Sequence, residues 1–283
     1  MFKVKKELFL RHHNFQTGRT EKMIANPLDY EIIDAHTHPF LDFKMGCIGP
    51  YGKPETMEEF DFEMHKVGIG RYAGAPLVKK KISDFKDIIS VNEDALKIRD
   101  KYPCYIPGIH VHGAFPQESC ELLHKMYQNE EIRYIGELVP YIMDTGAFDS
   151  PGMLTIFKEA GKLGMTVNLH GGTPAEADAM LENAPGLNII LAHPGEPANA
   201  KPRFEYVKTS PRLHIDISAH GPFRWNMIRY AIDCCGVEKI IFGSDMPTCS
   251  AGMFLYSVMT ENLSEDERKL ILAGNFQRLL GMK

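Results

Sequence analysis

The chain has 283 residues, 44% hydrophobic and 24% charged, the balance of a globular protein long enough to fold without a disulfide staple. A formal net charge of −5, with no basic cluster longer than the lysines at 79–81, excludes nucleic acid as the main partner. None of the six cysteines forms a C-x-x-C pair, which excludes zinc-ribbon and thioredoxin-like readings, and no run of about 18 apolar residues marks a membrane span. The expectation is a cytoplasmic protein with reduced thiols and no membrane partner.

Residues 1–30 show no clear periodicity and read as a short N-terminal extension, leaving 31–283 as one domain. From there, short apolar runs alternate with longer amphipathic ones. The expected strands are 31–36 (EIIDAH), 71–78, 104–111, 132–138, 165–170 (MTVNLH), 187–193 (LNIILAH), 213–218 and 239–245 (KIIFGSD). Helical patterns separate most of them. In 150–164, Ser150 is the expected cap, Pro151 opens the first turn and Gly164 ends the helix. Thr173 and Pro174 repeat that grammar in 173–186, and the helix in 272–281 is expected to pack Leu272, Phe276 and Leu279 on the barrel. Eight strands with intervening helices predict an α/β fold of the (β/α)8 TIM-barrel type. No glycine-rich dinucleotide fingerprint follows the first strand, which leans against a nucleotide-binding open sheet.

Positions of the histidines carry the functional signal. His36 and His38 sit where the first strand runs out, His170 closes the fifth, His193 the sixth, and Asp245 the eighth; a Gly or Pro follows close behind each. In a barrel these C-terminal strand ends converge on one face, where such folds place their active sites. Any one of them alone reads as a hydrogen-bonded structural residue; the repetition reads as a metal centre. Asp34, two before His36, shares its face on a period-2 strand and is expected either to orient a histidine or to bond backbone. Glu137 also closes a strand, on a face shared with Ile135 and Arg133, so metal ligation and an ion pair with Arg133 both fit it. His65, in a helical segment, reads as solvent-facing, and Arg224 as a surface residue rather than a substrate anchor.

The segments 33–38 (IDAHTH), 168–172 (NLHGG), 191–196 (LAHPGE), 242–247 (FGSDMP) and 272–282 (LAGNFQRLLGM) resemble the amidohydrolase superfamily. Within it the chain looks most like the amidohydrolase-related group of TIM-barrel metal-dependent hydrolases and decarboxylases. That resemblance implies that His36, His38, His170 and Asp245 hold a divalent metal and that His193 and Asp245 are catalytic. Glu137 stands in an IGE context similar to TatD-like deoxyribonucleases, which implies a bridging carboxylate, with His170 and His193 on a second ion. GIHVHG at 108–113 places His112 at the third-strand histidine of those enzymes.

Imidazole and carboxylate donors suit zinc first, and also manganese, iron or nickel. The expected reaction is hydrolysis of a small polar ester, amide or lactone by metal-activated water. The alternative is non-oxidative decarboxylation of an aromatic or unsaturated acid. A non-catalytic, metal-stabilised binding protein is the alternative from another class, though structural zinc sites are typically closed sets of Cys and His. A small-molecule substrate and a homodimer are the expected partners.

Overall fold

The computed structural model describes residues 9–13, 20–24, 28–42 and 51–282, with side chains from residue 28 onward. Inside the expected extension, β1 (Phe9–His13) and β2 (Thr20–Ile24) pair antiparallel. Cys47 lies outside the described residues.

All eight expected strands form, each shorter than its apolar run. They are β3 (Ile33–Asp34), β4 (Arg71–Gly74), β5 (Tyr105–Ile109), β6 (Tyr134–Leu138), β7 (Thr166–His170), β8 (Asn188–Ala192), β9 (Leu213–Asp216) and β10 (Ile240–Ile241). They lie in one parallel sheet in sequence order, and helices cover its outer face. That two-sided burial explains why the strands read as continuous apolar runs rather than alternating ones.

The ring closes between its first and last members beyond the regular ladders. Ala35 N–H donates to Phe242 O at 2.9 Å, Asp245 N–H to His36 O at 2.8 Å and His38 N–H to Met246 O at 2.7 Å. This seam brings the first two candidate histidines beside the candidate aspartate.

Two apolar layers result. Ile33, Ala35, Ala73, Tyr134, Ile190 and Ile241 fill the barrel interior together with Phe276, Leu279 and Leu280 of the C-terminal helix Asn275–Leu280. Leu272 instead joins the larger layer between strands and helices. It precedes that helix, in the π-helical stretch Leu270–Gly274, whose wider turn breaks the stripe expected from a regular 3.6 period. The helix Pro174–Asn183 starts with a complete capping box, Thr173 and Glu176 each bonding the other's backbone N–H. Ser150 occupies its cap position ahead of Pro151–Lys162 without a side-chain cap bond. Among the described residues, no helix is long and apolar enough to cross a membrane.

Two buried histidines in the barrel wall, His110 and His214, make no hydrogen bond to a carboxylate among the described residues. Burial pushes His110 down to about 4 and His214 down to about 3, the latter helped by Lys239 and Arg278. The unfolded chain takes up these protons near pH 6.5, whereas the folded one refuses them until far lower. Stability is therefore expected to fall as pH drops from 6.5 towards 4, by about 2–3 kcal/mol per histidine. Urea unfolding at pH 7 and pH 5 checks this: His214→Asn should flatten the slope, and an unchanged slope contradicts the assignment.

Candidate metal centre

β6 supplies the central residue through a break in its pairing. Its register to β7 shifts between Ile135 and Leu138, a bulge with Gly136 at φ +92°. A Cβ on Gly136 would lie 2.4 Å from Asn168 O, so only glycine fits there. The extra residue reverses the alternation. Tyr134 faces the interior and Ile135 the outer layer, yet Glu137 turns to the barrel mouth. Glu137 and Ile135 thus do not share a face, contrary to the period-2 expectation. Arg133 gives no ion pair to Glu137; its guanidinium lies over the Tyr127 ring and donates to that hydroxyl.

Glu137 is 3% exposed, and its two oxygens face two different pairs of imidazoles. Oε2 lies 3.4 Å from His36 Nε2 and 3.3 Å from His38 Nε2. Oε1 lies 2.9 Å from His170 Nδ1 and 3.3 Å from His193 Nε2. Asp245 Oδ1 completes the first group, 3.3 Å from His38 Nε2 and 3.9 Å from His36 Nε2. The six residues singled out from the sequence therefore meet at one place, as two ligand sets that share a carboxylate: His36–His38–Asp245 and Glu137–His170–His193. His193 and Asp245 both adopt left-handed backbone, φ 64° and 68°, a conformation uncommon outside glycine and concentrated at functional sites.

Around this centre a second ring of groups fixes the imidazoles. His36 Nδ1 lies 2.8 Å from Asp216 Oδ2, which also accepts from Asn168 Nδ2 at 2.9 Å. Ser218 donates its hydroxyl to Asp216 Oδ1, so its oxygen lone pair is left to accept from His193 Nδ1 at 2.8 Å. His38 Nδ1 donates to Ala75 O at 3.2 Å. In all three rings Nδ1 is engaged by these groups, so Nε2 is the nitrogen turned towards the carboxylates and offered to a ligand. Arg203 donates to Gly171 O and Ala192 O, tying together the loops that carry His170 and His193.

Asp34 does not orient a ring. Its Oδ1 accepts from the backbone amides of His36 and Ser244, at 3.1 and 3.0 Å. The orienting carboxylate is Asp216, which sequence reasoning missed; an acid inside the apolar run LHIDIS was its signal, since a buried carboxylate requires partners. His112 is also absent from the centre. Its Nδ1 accepts from Ala114 N–H and its ring lies against Phe115. Arg224 is exposed and paired with Glu196 at 2.7 Å.

The electrostatics call for a cation. Burial alone would neutralise Glu137, His36 and His38, but the surrounding acids and imidazoles hold these three charged. Asp216 and Glu137 keep His36 well above its usual range against that burial, and Asp245 with Glu137 raises His38 to about 9. Glu137 in turn is held well below the usual carboxylate range by His36, His170 and His193. His36 Nε2 is nevertheless buried without a hydrogen-bond partner. A divalent ion supplies the same positive charge while leaving the imidazoles neutral, and it satisfies that orphaned nitrogen, so the residues present fit a metal.

A ring of parallel strands that gathers imidazoles and carboxylates at its C-terminal ends defines a class of barrels built for metal-assisted chemistry. The chain belongs to the amidohydrolase family, whose model matches residues 33–282. No curated protein sequence matches it. Among solved structures it is similar to a 2,6-dihydroxybenzoate decarboxylase complexed with 2,6-dihydroxybenzoate, at 17% identity and TM-score 0.71 over 89% of this chain and 99% of that one. It is also similar to 5-carboxyvanillate decarboxylase from Sphingomonas paucimobilis, at 14% identity and TM-score 0.69 over 89% and 99%. A dihydroxybenzoic acid decarboxylase from a Polaromonas species, with bound manganese and the inhibitor 2-nitroresorcinol, matches at 16% identity and TM-score 0.65 over 89% and 97%.

Replacing Asp216 with Asn leaves its shape but removes the charge facing His36. Metal affinity is expected to fall by about 10–100-fold with the fold intact. Titration with a chromophoric chelator measures it, and unchanged affinity would remove Asp216 from the centre.

Proposed function

We propose that the chain is a metal-dependent hydrolase that uses a two-ion centre on a small polar ester, amide or lactone. The observation that carries this reading is Glu137, whose two oxygens each address a separate histidine pair, the placement a carboxylate shared between two ions would need. Ions bound there would activate water and polarise the substrate's carbonyl oxygen.

The remaining roles belong to the chain. His36 and His38 with Asp245 form one ligand set, and His170 with His193 the other, bridged by Glu137. Asp245, more exposed than Glu137, stands at the mouth, where its carboxylate can take the proton of the attacking water and return it to the leaving group. Asp216 and Ser218 hold the rings against rotation, so ligand geometry survives substrate exchange. Met246–Gly252, directly after Asp245 in sequence, line a cleft of about 630 Å³ with Tyr51, Lys53 and Phe62; none of the six ligand residues lines it.

The solved structures favour a second reading, non-oxidative decarboxylation of an aromatic acid. In it an ion held by these ligands would bind the substrate carboxylate, and Asp245 would deliver a proton to the carbon that loses CO₂. One assay separates the two. Protein stripped by chelation and refilled with zinc or manganese is offered lactones, esters and hydroxybenzoates, with acid release and CO₂ followed in parallel. Hydrolysis predicts acid without CO₂ and a loss of roughly 10²-fold or more in Glu137→Gln. CO₂ release that survives Glu137→Gln establishes the second reading, and turnover that survives chelation sinks both.

A further inference from the structure

The helix Met57–Lys66 presents Asp61 and His65 one turn apart, on the same face, at the amino-terminal end of the barrel. Cys104 immediately precedes β5 and comes up against them. Cys104 Sγ lies 3.2 Å from Asp61 Oδ1, and His65 Nδ1 lies 3.4 Å from the same oxygen. Tyr72, near the start of β4, donates its hydroxyl to that oxygen as well, at 2.9 Å. His65 is therefore not simply solvent-facing. Because strand starts lie opposite the strand ends, this cluster is on the face away from the Glu137 centre.

We propose that Asp61, His65 and Cys104 form a second, separate metal site that takes a thiophilic divalent ion such as zinc. Its three donor atoms lie within 4.8 Å of one another. Tetrahedral zinc with one sulfur, one nitrogen and one oxygen separates its ligand atoms by about 3.3–3.8 Å, given bonds of about 2.0–2.3 Å. The observed 3.2 and 3.4 Å to the Asp61 oxygen are close to that spacing, and metal binding would replace the 2.8 Å bond between His65 Nδ1 and the Asp61 carbonyl oxygen. The thiolate selects zinc over the harder ions that an all-nitrogen-and-oxygen centre accepts. His65 and Asp61 side chains are 32% and 25% exposed, which leaves an entry path and room for a water in the fourth position. Tyr72 would keep its bond to the ligating carboxylate and hold it in place. Filling the site ties the first barrel helix to the approach of β5, so its effect is on stability rather than turnover.

Cobalt(II) distinguishes this site from the barrel mouth, because only a thiolate ligand gives an intense near-ultraviolet sulfur-to-cobalt charge-transfer band. Metal-free full-length chain titrated with cobalt should develop that band, saturating at one thiolate per chain. Cys104→Ser should abolish it. Cys249→Ser, which alters the cysteine beside Asp245, and His38→Ala should both retain it. His65→Gln, a second route should Cys104→Ser fail to fold by circular dichroism, should weaken cobalt binding at this site by roughly tenfold or more. Zinc should raise the melting temperature of His38→Ala in a concentration-dependent way, and by clearly less in the Cys104→Ser, His38→Ala double variant. No charge-transfer band in the wild-type chain at saturating cobalt, or a band that persists in Cys104→Ser, overturns the proposal.

Discussion

A carboxylate buried among four imidazoles is the constraint on which the site depends. Glu137 could not be held ionised at 3% exposure without positive charge on both sides of it. Each oxygen meets one histidine pair, and the four histidines come from three separate stretches of chain. The barrel is what allows that convergence: parallel strand ends deliver side chains from distant sequence to one mouth. The closing seam does the rest, since the backbone bonds that join the first strand to the last also set His36 and His38 against Asp245.

Support for the centre extends outward in layers. Asp216 joins His36, Asn168, Ser218 and the backbone of His193 in one buried network, so β3, β7, β8 and β9 are locked at the depth of the ligands. Arg203 does the same for the loops beyond β7 and β8. Such a network fixes ring orientations before any ion arrives, which lowers the reorganisation that binding requires. His193 and Asp245 add left-handed backbone at their strand ends, a local strain that the rigid barrel can sustain.

Much of this was legible in the sequence because it rests on residue type and spacing. The eight strands announced themselves as apolar runs, and His36, His38, His170, His193 and Asp245 each stood before a Gly or Pro at a strand end. What escaped was whatever depends on departures from periodicity. The bulge at Gly136 reverses the face of Glu137, so Arg133 was an apparent partner that the fold sends outward. Asp34 and Asp216 look alike as acids within apolar strands; only the fold reveals that one bonds backbone amides and the other an imidazole. His112 and Leu272 failed for the same reason, since a motif match or a helical stripe says nothing of a local turn. The Asp61–His65–Cys104 cluster joins a helix to a strand start some forty residues away, a juxtaposition that no linear pattern encodes.

The central claim is that Glu137 stands between two ions. Crystals of the chain soaked in manganese, measured by anomalous diffraction, test it most directly. Two peaks are expected, one flanked by His36, His38 and Asp245 and the other by His170 and His193, with one Glu137 oxygen directed at each. A single peak, with the Glu137 carboxylate bonded only to protonated imidazoles on its other side, would contradict the account.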